Sequence, residues 1–266
     1  MQDLMLSMPW AYIKMKIKMI ESGSKGNCTI ILLNSLKLII DIGISYKKLT
    51  TELDKLNLSS NDIAGLLITH NHKDHINGLT TFLKKTDIKL FIPMKMYKSI
   101  KSEIPELTEE RCVFLDDEDK ILDVKIALIH TSHDAPYSVG YLIKDKDKEL
   151  VYITDTGYLN RKVLSTIINK DIYIIESNHD EKMLMDGPYP RFLKERVISD
   201  YGHLSNTMTA KYLKKIIGDK TKYIVLAHLS ETNNTPEIAL STVKEYVEDK
   251  EIIVASQNKG TSLIEV

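Results

Sequence analysis

The stretch Thr69-His70-Asn71-His72-Lys73-Asp74-His75 decides how the rest of the chain is read. It follows IAGLLI, residues 63–68, a short continuous apolar run of the kind that forms a strand buried on both faces. Four side chains able to bind a metal thus fall within six positions at the end of a buried strand, where unpartnered polar groups are costly. In extended chain His70 and His72 point the same way, and Asp74 and His75, adjacent at a helix start, can aim at a neighbouring point. That spacing suits two ions side by side. Imidazole and carboxylate without thiolate favour zinc, manganese or iron over a structural cysteine-type zinc site. Taken singly, each residue has an ordinary alternative: a satisfied or surface histidine or, for Asp74, a helix N-cap. The four together are read as a metal site.

Around this segment lies an ordinary globular composition. The 266 residues carry 36 Lys and Arg against 37 Asp and Glu, a net charge of -1, and 43% are hydrophobic. Disorder and fibrous structure are therefore poor readings, and any nucleic-acid contact must come from a local patch rather than a globally basic surface. Cys28 and Cys112 are too few and too far apart for a disulfide framework or a CxxC site, which fits a reducing cytoplasm. No apolar run of about 18 residues suggests a membrane span, and the N-terminus lacks signal-peptide features. Residues 1–14 are read as an extension, and residues 15–266 as a single α/β domain. Strands are expected at MKIKMI, CTIILLN, SLKLIID, KLFIP, KIALIH, VGYLIK, LVYITD, IYIIE, KYIVLAH and EIIVAS. Helices are expected where Leu49, Leu53 and Leu56 make one face, and near 95–103, 160–169, 206–217 and 236–248. His70, Asp155, Glu176 and His228 each close an apolar run, and strand ends are where α/β sites gather.

HNHKDH resembles the HxHxDH signature of the metallo-β-lactamase superfamily. By that resemblance the first metal's third histidine is His133, in TSHDAPYSVGY, the bridging carboxylate is Asp155, in YITDTGYL, and the last ligand is His228, in LAHLSETNN. His70, His72 and His133 would hold one ion, Asp74, His75 and His228 the other. His130 competes for the third position, but its place inside the apolar KIALIH run makes it a structural histidine. The segments SGSKGNCT, THNHKDHINGL, ESNHD, GPYPRFLKERVISDYGHLSN and LAHLSETNNTPE resemble, more narrowly, the YycJ (WalJ) family of bacterial metallohydrolases, from about Met15 to the C-terminus. The resemblance implies a four-layer αβ/βα sandwich, two mixed β-sheets face to face with helices on the outer faces and two divalent metal ions at one edge.

The same resemblance implies a 5′-to-3′ exonuclease with a metal-bridging hydroxide as nucleophile, Asp155 fixing the bridge, and DNA in preference to RNA as substrate. In related ribonuclease Z and cyclic phosphodiesterase groups, a histidine in a motif like YGHLSN sits by the scissile phosphate, coupled to an acidic residue. His203 is accordingly expected to protonate the leaving oxygen or stabilise the phosphate, oriented by Glu176. Its alternative is a neighbour of a helix cap. Ser205 and Asn206 of the same motif are read as substrate contacts. Tyr189, Arg191, Phe192, Lys194 and Arg196 combine aromatic and basic groups that could stack bases and follow a backbone, or could be a solvated helix face. Ser24, in the Gly-containing turn SGSKGN, is a phosphate contact or part of a plain turn. Asp41, closing LIID, is expected to receive a ring N–H from a metal-bound histidine. His179 is left outside the metal shell. Two rivals stand beside the nuclease: a small phosphodiester or thioester hydrolase of the same fold, and a binding module that keeps its metals without turnover.

Overall fold

The computed structural model describes residues 15–266; the N-terminal extension read at 1–14 lies outside the described residues. In chain order the strands of the first half are β1 (Lys16–Glu21), β2 (Cys28–Leu32), β3 (Lys37–Ile40), β4 (Gly65–Leu67), β5 (Lys89–Ile92) and β6 (Cys112–Phe114). Those of the second half are β7 (Glu118–Ile121), β8 (Val124–His130), β9 (Val139–Asp145), β10 (Lys148–Ile153), β11 (Ile172–Glu176), β12 (Tyr223–Ala227) and β13 (Glu251–Val254), with β14 (Ile264–Glu265) returning to the first sheet. They make two seven-stranded sheets, ordered β14-β1-β2-β3-β4-β5-β6 and β13-β12-β11-β10-β9-β8-β7. Both sheets are mixed. β1 to β3 pair antiparallel and β3 to β6 parallel, while β7 to β10 pair antiparallel and β10 to β13 parallel.

Side-chain alternation explains why so many strands read as unbroken apolar runs. Along β10, Leu150 and Tyr152 enter the core between the sheets while Val151 and Ile153 enter a second core on the other face. β11 repeats this with Ile172 and Ile174 against Tyr173 and Ile175. The second core is closed by α5 (Arg161–Thr166), α8 (Asn206–Ile216) and α9 (Pro236–Lys244) through Val163, Leu213 and Val243. The outer face of the first sheet is covered by α1 (Tyr46–Lys55), α3 (Leu79–Lys85) and α4 (Met94–Glu103), through Leu49, Phe82 and Met96. The order is helix, sheet, sheet, helix, as expected from the resemblance. Three short helices remain, α2 (Lys73–Ile76), α6 (Glu181–Asp186) and α7 (Arg191–Ile198), and two of them border the candidate site. Among the described residues no helix is long and apolar enough to cross a membrane.

The two sheets are joined directly at one edge. Tyr141, on β9, donates its buried hydroxyl to the Ile68 carbonyl at 2.5 Å, and the Val139 N–H donates to the Thr69 carbonyl at 2.9 Å. The chain leaving β4 is thereby pinned at Ile68 and Thr69, and His72, with its own backbone in the extended region, occupies the N-cap position of α2.

Candidate metal centre

The first sheet supplies one wall. His70 is fully buried just beyond β4, and Asp74 and His75 lie in the first turn of α2. Asp41, immediately after β3, holds this wall in place: it accepts the Thr69 N–H at 2.8 Å and faces His75 Nδ1 at 2.8 Å. With its Nδ1–H donated to Asp41, His75 turns Nε2 inward, 3.2 Å from Asp155 Oδ2 and 3.4 Å from Asp74 Oδ2. Asn27 grips the same corner. Its N–H donates to the Asp74 carbonyl at 2.8 Å, and its Nδ2 lies 3.1 Å from Asp74 Oδ2 and 3.0 Å from His75 Nε2. Gly43 is required beneath it, because a Cβ there would stand 1.6 Å from the Asp74 carbonyl oxygen.

The second sheet supplies the facing wall from the C-terminal ends of its strands. His133 follows β8; its Nδ1 lies 3.2 Å from the Gly202 carbonyl, so Nδ1 is the donor and Nε2 faces His72 Nδ1 at 3.2 Å. Asp155 follows β10, and His228 follows β12 with its N–H bonded to Ser22 Oγ at 2.8 Å. Glu176, the last residue of β11, is buried and satisfied on both oxygens: Oε1 lies 2.7 Å from His203 Nδ1 and 3.1 Å from His228 Nδ1, while Oε2 accepts Thr156 N–H at 3.0 Å and Leu204 N–H at 3.2 Å. Asp41, Asp155 and His228 share one more property. Their φ angles are 60°, 55° and 54°, in the left-handed region that costs about 1–3 kcal/mol for a side chain other than glycine. Asp is among the residues that tolerate it best, and strain of this kind concentrates at functional sites.

The side-chain atoms converge as metal ligands would. His70, His72 and His133 form one group, Asp74, His75 and His228 another, and His70, His75 and Asp155 a third, each with ligand atoms within 4.8 Å of one another. His70 Nε2, Asp155 Oδ2 and His228 Nε2 are buried without a hydrogen-bond partner, and buried polar atoms need one. Divalent cations held by these groups would satisfy all three, and the nitrogen and oxygen donor set fits zinc, manganese or iron. Electrostatics agree. Burial pushes the His75 imidazole down, but Asp41, Asp155 and Asp74 outweigh it and the net shift is well upward. His228 is likewise opposed by burial, yet Asp155, Asp74 and Glu176 carry it to about 10. His70, buried and beside other imidazoles, is driven well down instead. The carboxylates therefore make a desolvated negative pocket in which cations compete with protons for the imidazoles.

Not every side chain singled out in the sequence joins this group. His203 does: it is half-buried at the mouth, 3.6 Å from Asp155 Oδ1. Ser205 and Asn206 turn into the protein. Ser205 Oγ caps α8 through Met208 N–H and donates to Glu181, and buried Asn206 bonds Ser177 Oγ at 2.6 Å and Asn234 at 2.9 Å. Arg191 is 92% exposed and ion-paired with Glu195 one turn on, whereas Arg196 reaches Asp134 at 2.5 Å, and Asp134 Oδ1 is 3.3 Å from His133 Nε2. Arg196 is thus linked to the cluster through Asp134. Ser24 is exposed at the tip of a turn whose Gly23 N–H is used by Asn27 Oδ1. His130 is exposed and faces Asp117 at 3.2 Å. His179 is buried with Nδ1 unpartnered, and burial takes it down to about 4. Sequence reasoning missed Asn27 and Asp134; Asn27 lies inside SGSKGN, where only the turn drew notice.

Comparison with known proteins identifies the family. Residues 38–229 match the family model described as the Beta-lactamase superfamily domain. The chain is 34% identical over 233 residues to exodeoxyribonuclease YycJ of Bacillus anthracis, covering 87% of this chain and 88% of that one. It is 35% identical over 235 residues to exodeoxyribonuclease WalJ of Streptococcus pneumoniae, covering 87% of each. Among solved structures, the metallo-β-lactamase fold protein YhfI from Bacillus subtilis superposes with a TM-score of 0.72 at 15% identity, over 95% of this chain and 100% of that one. Human tRNase Z, short form, gives 0.64 at 17%, over 95% and 99%. These two share the fold.

Proposed function

The chain belongs to the metallo-β-lactamase superfamily of hydrolases, within the family of the YycJ and WalJ exodeoxyribonucleases, and from that premise we propose that it is a dinuclear metal-dependent DNA exonuclease working from the 5′ end. The observation that carries the reading is His203 on Glu176 at 2.7 Å, standing at the mouth of the buried His/Asp cluster. His70, His72 and His133 would hold one ion and Asp74, His75 and His228 the other, with Asp155 reaching both. Divalent ions there would acidify a water and polarise a phosphodiester.

The chain's own groups do the rest. Asp41 keeps the proton on His75 Nδ1 and Gly202 keeps it on His133 Nδ1, so both rings present Nε2 to the interior. Glu176 accepts from His203 Nδ1, which leaves Nε2 as the atom where the proton for the departing oxygen is held. The Glu176 and Asp155 carboxylates outweigh burial and raise the His203 imidazole, which favours its acid form. The net charge of -1 supports a site that captures phosphate locally rather than a surface that grips long polyanions, and two free cysteines suit a reducing cytoplasm. The test is cleavage of 5′- and 3′-end-labelled DNA, RNA, a chromogenic phosphodiester and a thioester, each with manganese and with zinc. Release of 5′ label from DNA first is the expected result; cleavage of the thioester alone would sink the proposal.

A further inference from the structure

Four of the five histidines proposed as ligands follow one rule. His70, His75, His133 and His228 each set Nδ1 against an oxygen: Thr69 Oγ1 at 3.1 Å, Asp41 Oδ2 at 2.8 Å, the Gly202 carbonyl at 3.2 Å and Glu176 Oε1 at 3.1 Å. Nε2 is then the ligand atom of each. His72 is reversed. Its Nδ1 is the converging atom, 3.2 Å from His133 Nε2, so Nε2 is the nitrogen that needs a holder. A ligand histidine whose other N–H is not held can take the wrong tautomer and swing out of place, and this ring is 33% exposed, so no enclosing wall fixes it. The carboxylate at hand is Asp134, in the loop after β8, with Oδ1 3.7 Å from His72 Nε2, within ion-pair reach.

The same Asp134 oxygen lies 3.3 Å from His133 Nε2, but neutral His133 has already placed its one N–H on Gly202 and has no proton to give there. His72 does. The other Asp134 oxygen, Oδ2, accepts Arg196 Nε–H at 2.5 Å, so the carboxylate cannot turn away without losing a charge-assisted bond. Arg196 belongs to α7, and the chain that leaves α7 reaches Gly202, whose carbonyl holds His133, and then His203. One segment therefore stands behind two ligands of the first ion. We infer that Asp134 is the positioning residue of His72, holding its Nε2–H so that Nδ1 faces the first ion, and that Arg196 fixes Asp134, which makes α7 and its following turn the outer frame of that ion. The second ion has a separate frame, Asp41 and Asn27, on the first sheet's side. This rests on the two-ion reading above.

Titration of metal-free protein with zinc against a chromophoric chelator reads the two affinities, and histidine-selective nitrogen NMR of the zinc-loaded protein reads which ring nitrogen carries the proton. Asp134→Ala should weaken one ion by about 10- to 100-fold and displace the His72 Nε2–H resonance. Arg196→Met, at a half-exposed position that keeps the apolar stem, should weaken the same ion by roughly 3-fold, and it carries the test if the melting temperature shows that Asp134→Ala does not fold. In an Asp41→Asn/Asp134→Ala double variant both ions should be weakened, each by its own single-variant factor, because the two frames are separate. Unchanged affinities in Asp134→Ala and Arg196→Met overturn the assignment, as does a loss falling on the ion that Asp41→Asn already weakens. A weakened ion with the His72 resonance unmoved makes Asp134 a ligand rather than a holder, and overturns it too. A wild type that takes up a single zinc overturns the two-ion reading itself, and the separate frames with it.

Discussion

Replacing Asp41 by Asn tests whether the proposed two-ion centre depends on a residue that stands behind its ligands. Asp41 is fully buried and occupies a left-handed φ of 60°, which Asn adopts as readily as Asp, so the backbone should be undisturbed. Asn can still accept the Thr69 N–H through its carbonyl oxygen. Its NH2, however, would meet His75 Nδ1 where a carboxylate oxygen now sits at 2.8 Å. Two donors cannot share that contact, so the imidazole must move its proton to Nε2, the atom turned toward Asp155 and Asp74. A buried hydrogen bond to a charged group contributes about 1.5–3 kcal/mol, or roughly 10- to 150-fold in affinity, in line with the 10–100-fold typical of partners behind metal ligands. The His70, His72 and His133 half keeps its own supports, since His133 is held by Gly202. Titration of the metal-free variant with zinc against a chromophoric chelator should therefore show one ion bound as in the wild type and the second weakened 10-fold or more. Unchanged affinity for both ions would refute the argument. Asp41→Ala should add a stability loss of about 1 kcal/mol from left-handed backbone strain, separating strain from charge.

Three further outcomes follow from the same geometry. His203→Ala should lower kcat on DNA by about 10²–10⁴-fold with metal content unchanged, as loss of a proton donor does; equal turnover would remove His203 from the chemistry. His130→Ala, at an exposed position paired with Asp117 and edge-on to the Tyr137 ring, should shift stability by no more than about 0.5 kcal/mol and leave zinc stoichiometry intact; a lost ion by mass spectrometry would return His130 to the third position. In chelated protein His228 is raised to about 10 against about 6.5 unfolded, so its pairing with Asp155, Asp74 and Glu176 is fully stabilising below pH 6.5 and is lost as pH rises toward 10. The gap in melting temperature between wild type and His228→Gln should accordingly narrow from pH 6 to pH 10, and a widening gap would show the sign to be wrong.

The parts legible in the sequence were those with a short-range signature. HNHKDH reads as a metal site because it follows the buried run GLLI and packs four candidate ligands into six positions, and doubly buried strands such as LVYI and IYII print as apolar runs. What stayed hidden depends on long-range placement. The four-residue helix α2 is too short to leave a period, and β6 and β7 alternate too weakly to stand out from loop. Ser205 and Asn206 looked free for substrate, yet their partners, Glu181, Ser177 and Asn234, come from other elements. Arg191 and Arg196 are equivalent in the sequence; which one borders the histidines is decided by where α7 docks. The left-handed turns at Asp41, Asp155 and His228 have no sequence signal at all, because a strand-ending Asp or His is compatible with several backbone conformations.

His70, His72, Asp74 and His75 hang from one sheet, and His133, Asp155 and His228 from the other. An ion shared between them is therefore also a fastener across the seam, clamping segments up to 158 residues apart in the chain at the edge where Tyr141 and Val139 already stitch the two halves. The two halves of the sandwich need not be pressed together everywhere by their apolar core, because the edge that carries these ligands would be drawn tight by a bound cation. Binding an ion there would then stiffen the seam in the same step.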